Sequence, residues 1–318
     1  MSLLQKFQDH IRQQDLFTTK DKLLLAISGG VDSVVLCELC RQAGYDFSIA
    51  HCNFKLRGKE SERDKEFVKD LAKKYDVEFL VKDFETEQYA AENKISIQEA
   101  ARKQRYIWFK ELLAPTPDAD AFGRHSDFRF AERRNSRLPT PDYLLTAHHA
   151  DDNIETLMMH FFRGTGLHGL TGIPEKTGYI RRPLLYFSKE ELIAFAKENK
   201  LEFVEDSSNQ SSKYTRNYFR NELIPAISKV YPQVKENLQG NISRFKEIEK
   251  LYQLSVGEIK KKLCRQKGNE MHIPVKQLMQ YDNRALIYEI ISGYGFSEKQ
   301  IEEVIKLADS DSGKYMVS

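Results

Sequence analysis

An α/β fold with a mostly parallel, doubly wound sheet, followed by a smaller and mainly α-helical C-terminal domain, is predicted for this chain by three observations. Short apolar runs alternate with stretches of helical apolar spacing from residue 23 to residue 162, and that alternation specifies parallel strands joined by helical crossovers. The first apolar run passes straight into a Ser-Gly-Gly turn and a helix start, which puts a ligand site at the carboxyl edge of such a sheet. After residue 188 the pattern is almost wholly helical.

Residues 23–27 (LLLAI) read as a buried strand. The segment from Asp32 has helical spacing and stops at Gly44, a residue suited to a helix C-terminus. Residues 47–50 are a second strand, and 61–75 a helix with Phe67, Val68 and Leu71 on its apolar side. A third strand is expected over 77–81. A helix follows over 96–113, where Ser96 and Glu99 match a capping box. Residues 143–146 form the fourth strand and 151–162 the next helix. Further helices are expected over 189–199, 218–223, 233–267, 282–292 and 298–307, with one strand over 271–273. This divides the chain into a catalytic domain, 1–214, and a helical domain, 215–318. Residues 114–142 break the pattern with five Arg, no Lys and four Pro. So long a structureless stretch is unusual inside a compact domain, and it reads as a mobile insertion.

Composition narrows the class. In 318 residues, 41% are hydrophobic, as in an ordinary globular protein, and no run approaches the length of a membrane span. The N-terminus, MSLLQKFQDHIRQQD, carries charges where a signal peptide needs an apolar run. Four cysteines make no disulfide framework. A soluble, cytoplasmic protein without membrane attachment is expected. The net charge of +2 hides a basic stretch: residues 213–267 hold 13 Lys/Arg against 5 Asp/Glu, a footprint suited to a surface facing phosphates.

The strongest chemical signal is Ser28-Gly29-Gly30-Val31-Asp32-Ser33. Glycines allow backbone N–H groups to turn inward, the helix N-terminus adds positive potential, and two serine hydroxyls add donors, so the segment suits phosphates. Asp32 repels phosphate, and its role there is to hold Mg²⁺ between phosphate groups. No GxxxxGK[ST] segment occurs, which disfavours a Walker-type NTPase. The hexapeptide resembles the PP-loop of enzymes that cleave ATP between its α- and β-phosphates and release pyrophosphate.

A second constellation, Thr146-Ala147-His148-His149-Ala150-Asp151-Asp152-Asn153-Ile154-Glu155-Thr156, opens a helix after the fourth strand, with Asp152, Glu155 and Met159 on one face. Arg163-Gly164-Thr165-Gly166 and Gly169-Leu170 follow. HHxxDxxET followed by RGTGxxGL resembles the tRNA(Ile)-lysidine synthetase family. Other segments match in the same order: His51-Cys52-Asn53-Phe54-Lys55-Leu56-Arg57-Gly58; Glu99-Ala100-Ala101-Arg102 with Arg105-Tyr106; Arg182-Pro183-Leu184-Leu185; and Asp206-Ser207-Ser208-Asn209 with Tyr214-Thr215-Arg216-Asn217 and Arg220. The resemblance spans about residues 20–235. It departs at Phe54, where many members carry a second histidine. It also departs in length, since many members have a further C-terminal domain, which is expected to be absent here.

The resemblance implies an adenine nucleotide alpha hydrolase-like fold and the ATP-dependent ligation of free L-lysine to C2 of the cytidine at the first anticodon position of tRNA(Ile), the tRNA with a CAU anticodon. An adenylated base is the intermediate. Ser28, Gly29, Gly30, Val31, Asp32 and Ser33, with His51 and Arg57, would bind ATP. Asp32 and Asp152 would hold Mg²⁺, and Asp32, Asp152 and Glu155 would be catalytic. Glu155 and Arg105 would receive the lysine, and His148 or His149 would accept its proton. Arg182, Arg216 and Arg220 would contact tRNA. A homodimer is carried as one assembly. Two alternatives stand beside this reading. Cys37 and Cys40 form a CxxC, as in PP-loop enzymes that thiolate tRNA, although their apolar surroundings favour packing. The other is a non-catalytic RNA- or nucleotide-binding module.

Overall fold

Leu23, Leu24 and Leu25 are all buried, although a strand turns successive side chains to opposite faces. Leu23, Leu25 and Ile27 enter one core while Leu24 enters another, with Trp108 and Phe109. Both faces of the central sheet are therefore covered, as parallel strands require. The structure, a computed structural model, describes residues 1–113, 140–205, 215–268, 270–308 and 310. The insertion expected over 114–142, except for 140–142, lies outside the described residues, as does 206–214 of the last motif.

The elements run α1 (Leu3–Gln13), β1 (Leu23–Ala26), α2 (Val31–Gln42), β2 (Phe47–Asn53), α3 (Lys59–Tyr75), β3 (Phe79–Asp83), α4 (Thr86–Glu92) and α5 (Ile97–Leu113). They continue with β4 (Tyr143–Leu145), α6 (Ala150–Arg163), α7 (Leu167–Leu170), β5 (Lys176–Thr177), β6 (Ile180–Arg181) and α8 (Lys189–Glu198). The sheet order is β3-β2-β1-β4-β6-β5, parallel throughout except for the β5–β6 pair. The order reverses between β1 and β4, so the loops leaving those two strands meet at a topological switch point, where open α/β sheets bind ligands. The four strands read from sequence are present. The two-residue β5 and β6 are too short to show a periodicity. The N-terminal helix, which opens with Ser2 accepting from the Gln5 N–H at 3.2 Å, was not anticipated.

Beyond α8 come α9 (Thr215–Tyr218), a π-helical turn at Phe219–Leu223, α10 (Ile224–Val230) and α11 (Val234–Leu263). The chain divides into two compact units, Met1–Ile242 and Ser243–Ser318. The boundary expected near residue 215 differs because Phe219, Ile224 and Ile242 share a core with Ile154, Leu157 and Met158 of α6. The second unit holds β7 (Arg265–Lys267), β8 (Glu270–His272), α12 (Val275–Met279), α13 (Arg284–Ile291) and α14 (Ile301–Ala308), with a core including Val256, Leu286, Ile290 and Ile301. The helix expected to reach residue 267 stops at Leu263, and Arg265–Lys267 pairs with Glu270–His272 instead. The strand expected over 271–273 is present as β8, whereas β7, exposed and polar throughout, carries no apolar alternation that would reveal it.

Glu38, buried on α2, ties this helix to α3. It accepts from Arg41 at 2.6 and 3.0 Å, Gln42 at 2.7 Å and the Tyr75 hydroxyl at 2.7 Å. Burial raises its pKa, but the bonds to Arg41, Tyr75 and Gln42 outweigh burial and leave it below the ordinary carboxylate value. The stability it contributes is present above the unfolded-state pKa and fades as pH falls through the lower folded value. Glu38→Gln is expected to lower stability by about 1–2 kcal/mol at neutral pH, the worth of charge-assisted bonds. Its deficit relative to wild type should shrink in acid unfolding curves. A deficit constant down to the acid transition would contradict this account.

Candidate active site

The loop after β1 is built as a cradle. Gly30 stands at the N-cap of α2, and Gly29 has φ +96°, a conformation L side chains rarely adopt. The Ser33 hydroxyl donates to Gly30 O at 2.8 Å and accepts from Gly29 N–H at 3.2 Å, which fixes the turn internally. The carbonyl of Gly29 accepts from Val204 N–H at 3.0 Å, and a Cβ on Gly29 would meet Val204 Cγ2 at 2.7 Å. Glycine is needed there for both conformation and space. Gly29→Ala is expected to cost about 1–3 kcal/mol of stability and to weaken nucleotide binding, read by thermal melts with and without ATP. A variant with unchanged melting and an unchanged ATP-induced shift would contradict the cradle.

The loop after the neighbouring β4 brings the second motif alongside. His149 is the N-cap of α6, and its N–H donates to Asp152 Oδ2 at 3.1 Å. The His149 Nε2 atom stands 3.7 Å from an Asp32 oxygen and 3.5 Å from one of Asp152. The two carboxylates expected to work together therefore flank one imidazole, although they lie on different helices. Asp32 is bound through both oxygens by Lys189 Nζ, at 2.6 and 2.8 Å. Asp151 accepts from Lys189 N–H at 2.8 Å and from Lys235 Nζ at 2.7 Å, and Lys235 also reaches Glu190 at 2.9 Å.

Glu155 lies one turn further along α6 and is only 1% exposed. Arg220 grips both its oxygens, at 2.5 and 2.9 Å, and also reaches Asp152 at 2.9 Å. Arg216 Nη2 donates to Thr156 Oγ1 at 2.8 Å, and its Nε lies 3.7 Å from Glu155. A cavity of about 160 Å³ opens here, lined by His149, Asp151, Glu155, Lys189, Arg220 and Lys235 among others. Its alternating charges suit a zwitterion or a polyanion carried with a cation.

Two adjacent histidines are driven apart. Burial pushes His148 down to about 4, only partly offset by Asp152, so it is neutral near pH 7; its Nδ1 lies 2.9 Å from Thr146 Oγ1. Burial also pushes His149 down, but Asp151, Asp152 and Asp32 more than reverse this, and its pKa is raised. The Glu155 carboxyl is pushed up by burial despite the opposing pull of Arg220 and Arg216. Burial raises Asp152 as well, yet the neighbouring histidines, the His149 N–H and Arg220 bring it below its ordinary value. Shifts of opposite sign among neighbouring groups are a pattern that functional sites share with buried ion-pair networks.

The remaining expected residues are placed as follows. His51 is buried at the end of β2, with Nδ1 2.8 Å from Ile27 O just before the phosphate loop, and burial lowers its pKa. Arg57 pairs with Asp64 at 2.9 Å at the start of α3. Arg105 lies over the Phe54 ring at 5.2 Å, and Phe54 stacks on Phe84 at 5.3 Å; the departure at Phe54 is filled by an aromatic cluster. Arg182 differs from its expected position against RNA. It is 7% exposed, and its Nη1 donates to Pro174 O at 2.7 Å and Thr177 Oγ1 at 3.0 Å. Arg216 and Arg220 are engaged with the α6 carboxylates.

Lys189 and Lys235 were missed. Each sits in the first turn of its helix, α8 and α11, where a cation opposes the helix dipole.

Mg²⁺ beside a nucleotide commonly takes one or two carboxylates and completes its shell with phosphate oxygens and water. The described residues contain no cluster of three metal-ligating side chains, but Asp32 and Asp152, which both flank the His149 Nε2 atom, fit that two-carboxylate pattern.

A parallel sheet whose switch point carries a Ser-Gly-Gly-Val-Asp-Ser cradle defines the PP-loop class, and residues 3–122 and 123–227 match the PP-loop domain family. Residues 266–318 match the TilS substrate binding domain. A tRNA(Ile)-lysidine synthase of Bacteroides thetaiotaomicron is 36% identical over 97% of this chain and 66% of its own length. One of Chlorobaculum tepidum is 30% identical over 97% of this chain and 89% of its own length. The chain belongs to the tRNA(Ile)-lysidine synthase family. It spans 64–66% of the length of the Bacteroides, Parabacteroides and Porphyromonas relatives. The fold is shared with the U34-tRNA thiolase NcsA of Methanococcus maripaludis, solved with its 4Fe-4S cluster (TM-score 0.54, 15% identity, 77% of this chain and 80% of that one). Cys37 and Cys40, the pair behind the thiolation alternative, are buried in the core beside Val34 and Leu36, and burial pushes both thiols up. No helix among the described residues is long and apolar enough to cross a membrane.

Proposed function

We propose that this protein is a cytoplasmic enzyme that uses ATP to join free L-lysine to C2 of the cytidine at the first anticodon position of tRNA(Ile) with a CAU anticodon. The observation that carries this reading is the cluster of Asp32, Asp152 and Glu155, linked through His149 and Arg220 at the two helix N-termini beside the β1–β4 switch point. The first-turn N–H groups of α2, Val31 to Ser33, orient the outer phosphates and stabilise the charge that develops as O2 of the base attacks the α-phosphorus and pyrophosphate leaves. Asp32 and Asp152 would hold Mg²⁺, which would supply further neutralisation of that charge. Lys189, paired with Asp32, places a further cation beside the cradle.

In the second step the lysine ε-amine attacks C2 and AMP departs. The amine arrives as an ammonium ion and must lose a proton. Glu155 attracts it and, with its pKa raised, is a better acceptor than His148 at about 4. Arg220 must yield part of its grip on Glu155 for this to happen.

Mass analysis of a tRNA(Ile) transcript after incubation with ATP and lysine tests the proposal. Lysine-dependent AMP release with a gain of one lysyl unit on the target cytidine is expected. Sulfur incorporation, or nucleotide binding without turnover, would favour the alternatives.

A further inference from the structure

The catalytic face of α6 continues past Glu155. Asp152, Glu155, Met159 and Phe162 are spaced three and four apart, so they share one face, with Phe162 about 10 Å beyond Glu155 along the axis. Phe162 is 64% exposed and its neighbour Phe161 is 63% exposed. Their rings meet edge to face at 5.6 Å, and Phe162 rests against Phe219 at 5.9 Å. Phe219 precedes Arg220, the residue that holds Glu155, and follows Tyr218, which is 52% exposed. Arg163, exposed, comes next on the chain after Phe162, and Arg216, partly exposed, comes off the same turn as Tyr218.

Three large aromatic side chains in water, with two arginines among them, are costly for a soluble surface unless something flat and anionic covers them. The spacing fits the reaction. A base delivered to Glu155 has its neighbours on the strand about one nucleotide away, and unpaired bases stack on aromatic faces while arginines meet the phosphates. We infer that Phe161 and Phe162, with Tyr218 and Arg163, form a stacking platform for the unpaired anticodon bases that flank the target cytidine. This rests on the proposed function and names how the RNA is held beside that site. The occupant is RNA because the platform is continuous with the catalytic face of α6 and carries cationic rather than apolar neighbours.

The test uses the whole chain and a CAU anticodon stem-loop RNA in which 2-aminopurine replaces the adenine after the target cytidine. Wild-type protein is expected to bind this RNA and quench the 2-aminopurine fluorescence, as stacking does. Phe161→Ala and Phe162→Ala should each weaken binding about tenfold, the worth of one aromatic–base stack, with the ATP-induced melting shift unchanged. Phe162→Trp should retain both affinity and quenching, which separates a lost ring from a loosened helix. Variants that bind RNA as wild type does would overturn the platform and leave the proposed function standing. If wild-type protein binds no anticodon RNA, the functional reading falls and takes the platform with it. A wild-type dimer that becomes monomeric in the double variant at unchanged RNA affinity would assign the patch to a second copy of the chain and overturn the inference.

Discussion

Asp32→Ala is expected to reduce pyrophosphate release from ATP by about a thousandfold or more, the scale of losing a preorganised charge at a developing phosphate anion, while tRNA binding stays largely intact. The side chain lies at the first turn of α2, faces the cradle and is balanced by Lys189. That pair is part-exposed, with side chains 27% and 34% accessible, so its loss costs little stability, about 0–1 kcal/mol. A melting temperature near that of wild type should accompany the loss of turnover, which separates chemistry from unfolding. Pyrophosphate release measured with saturating ATP and anticodon RNA decides the matter. Normal turnover in the variant would remove Asp32 from both the phosphate and the metal assignment.

Glu155→Gln should produce the opposite split. The cradle and Asp32 are untouched, so adenylation of the base continues. Transfer to lysine should fall about a hundredfold or more, because the ammonium loses both its buried charge partner and its proton acceptor. Glutamine keeps the shape and leaves Arg220 a hydrogen-bond acceptor, and Asp152 remains 2.9 Å away to balance its charge. Single-turnover assays should show adenylated RNA accumulating, with lysine concentration restoring little of the rate. Equal loss of pyrophosphate release and lysine transfer would show that Glu155 serves the site as a whole rather than the second step.

The elements that carry the motifs were legible because each depends on local periodicity. The Leu23–Leu25 run, the Gly29–Gly30 turn and the three-and-four spacing of Asp152, Glu155 and Met159 constrain the backbone within a few residues of themselves. The Ser96 hydroxyl does accept from the Glu99 N–H, at 3.2 Å, as the capping box anticipates. The two-residue strands β5 and β6 were illegible, since no period can be read from two residues. The end of α11 was misplaced because Arg265-Gln266-Lys267 is polar throughout and contradicts neither helix nor strand.

Arg182 illustrates a different limit. Its place in a matching motif suggested an RNA contact, yet it is largely buried and its Nη1 donates to Pro174 O and Thr177 Oγ1 beside β5. A motif fixes which residue stands at a position, whereas burial decides which of its donors remain free.

By itself, then, the chain's order of residues determined a parallel sheet, a phosphate-cradling turn and a carboxylate-bearing helix after the fourth strand. Only folding decided that Lys189 would neutralise Asp32, that Arg220 would clasp Glu155, and that Lys235 would join Asp151 to Glu190. These pairs link residues 65 to 157 apart for the first two, and their partners meet because three helix N-termini and the π-helical turn converge on one sheet edge. Local propensity acts over a few bonds, but Coulomb attraction acts through space, and the distances it depends on exist only once the sheet has ordered its strands.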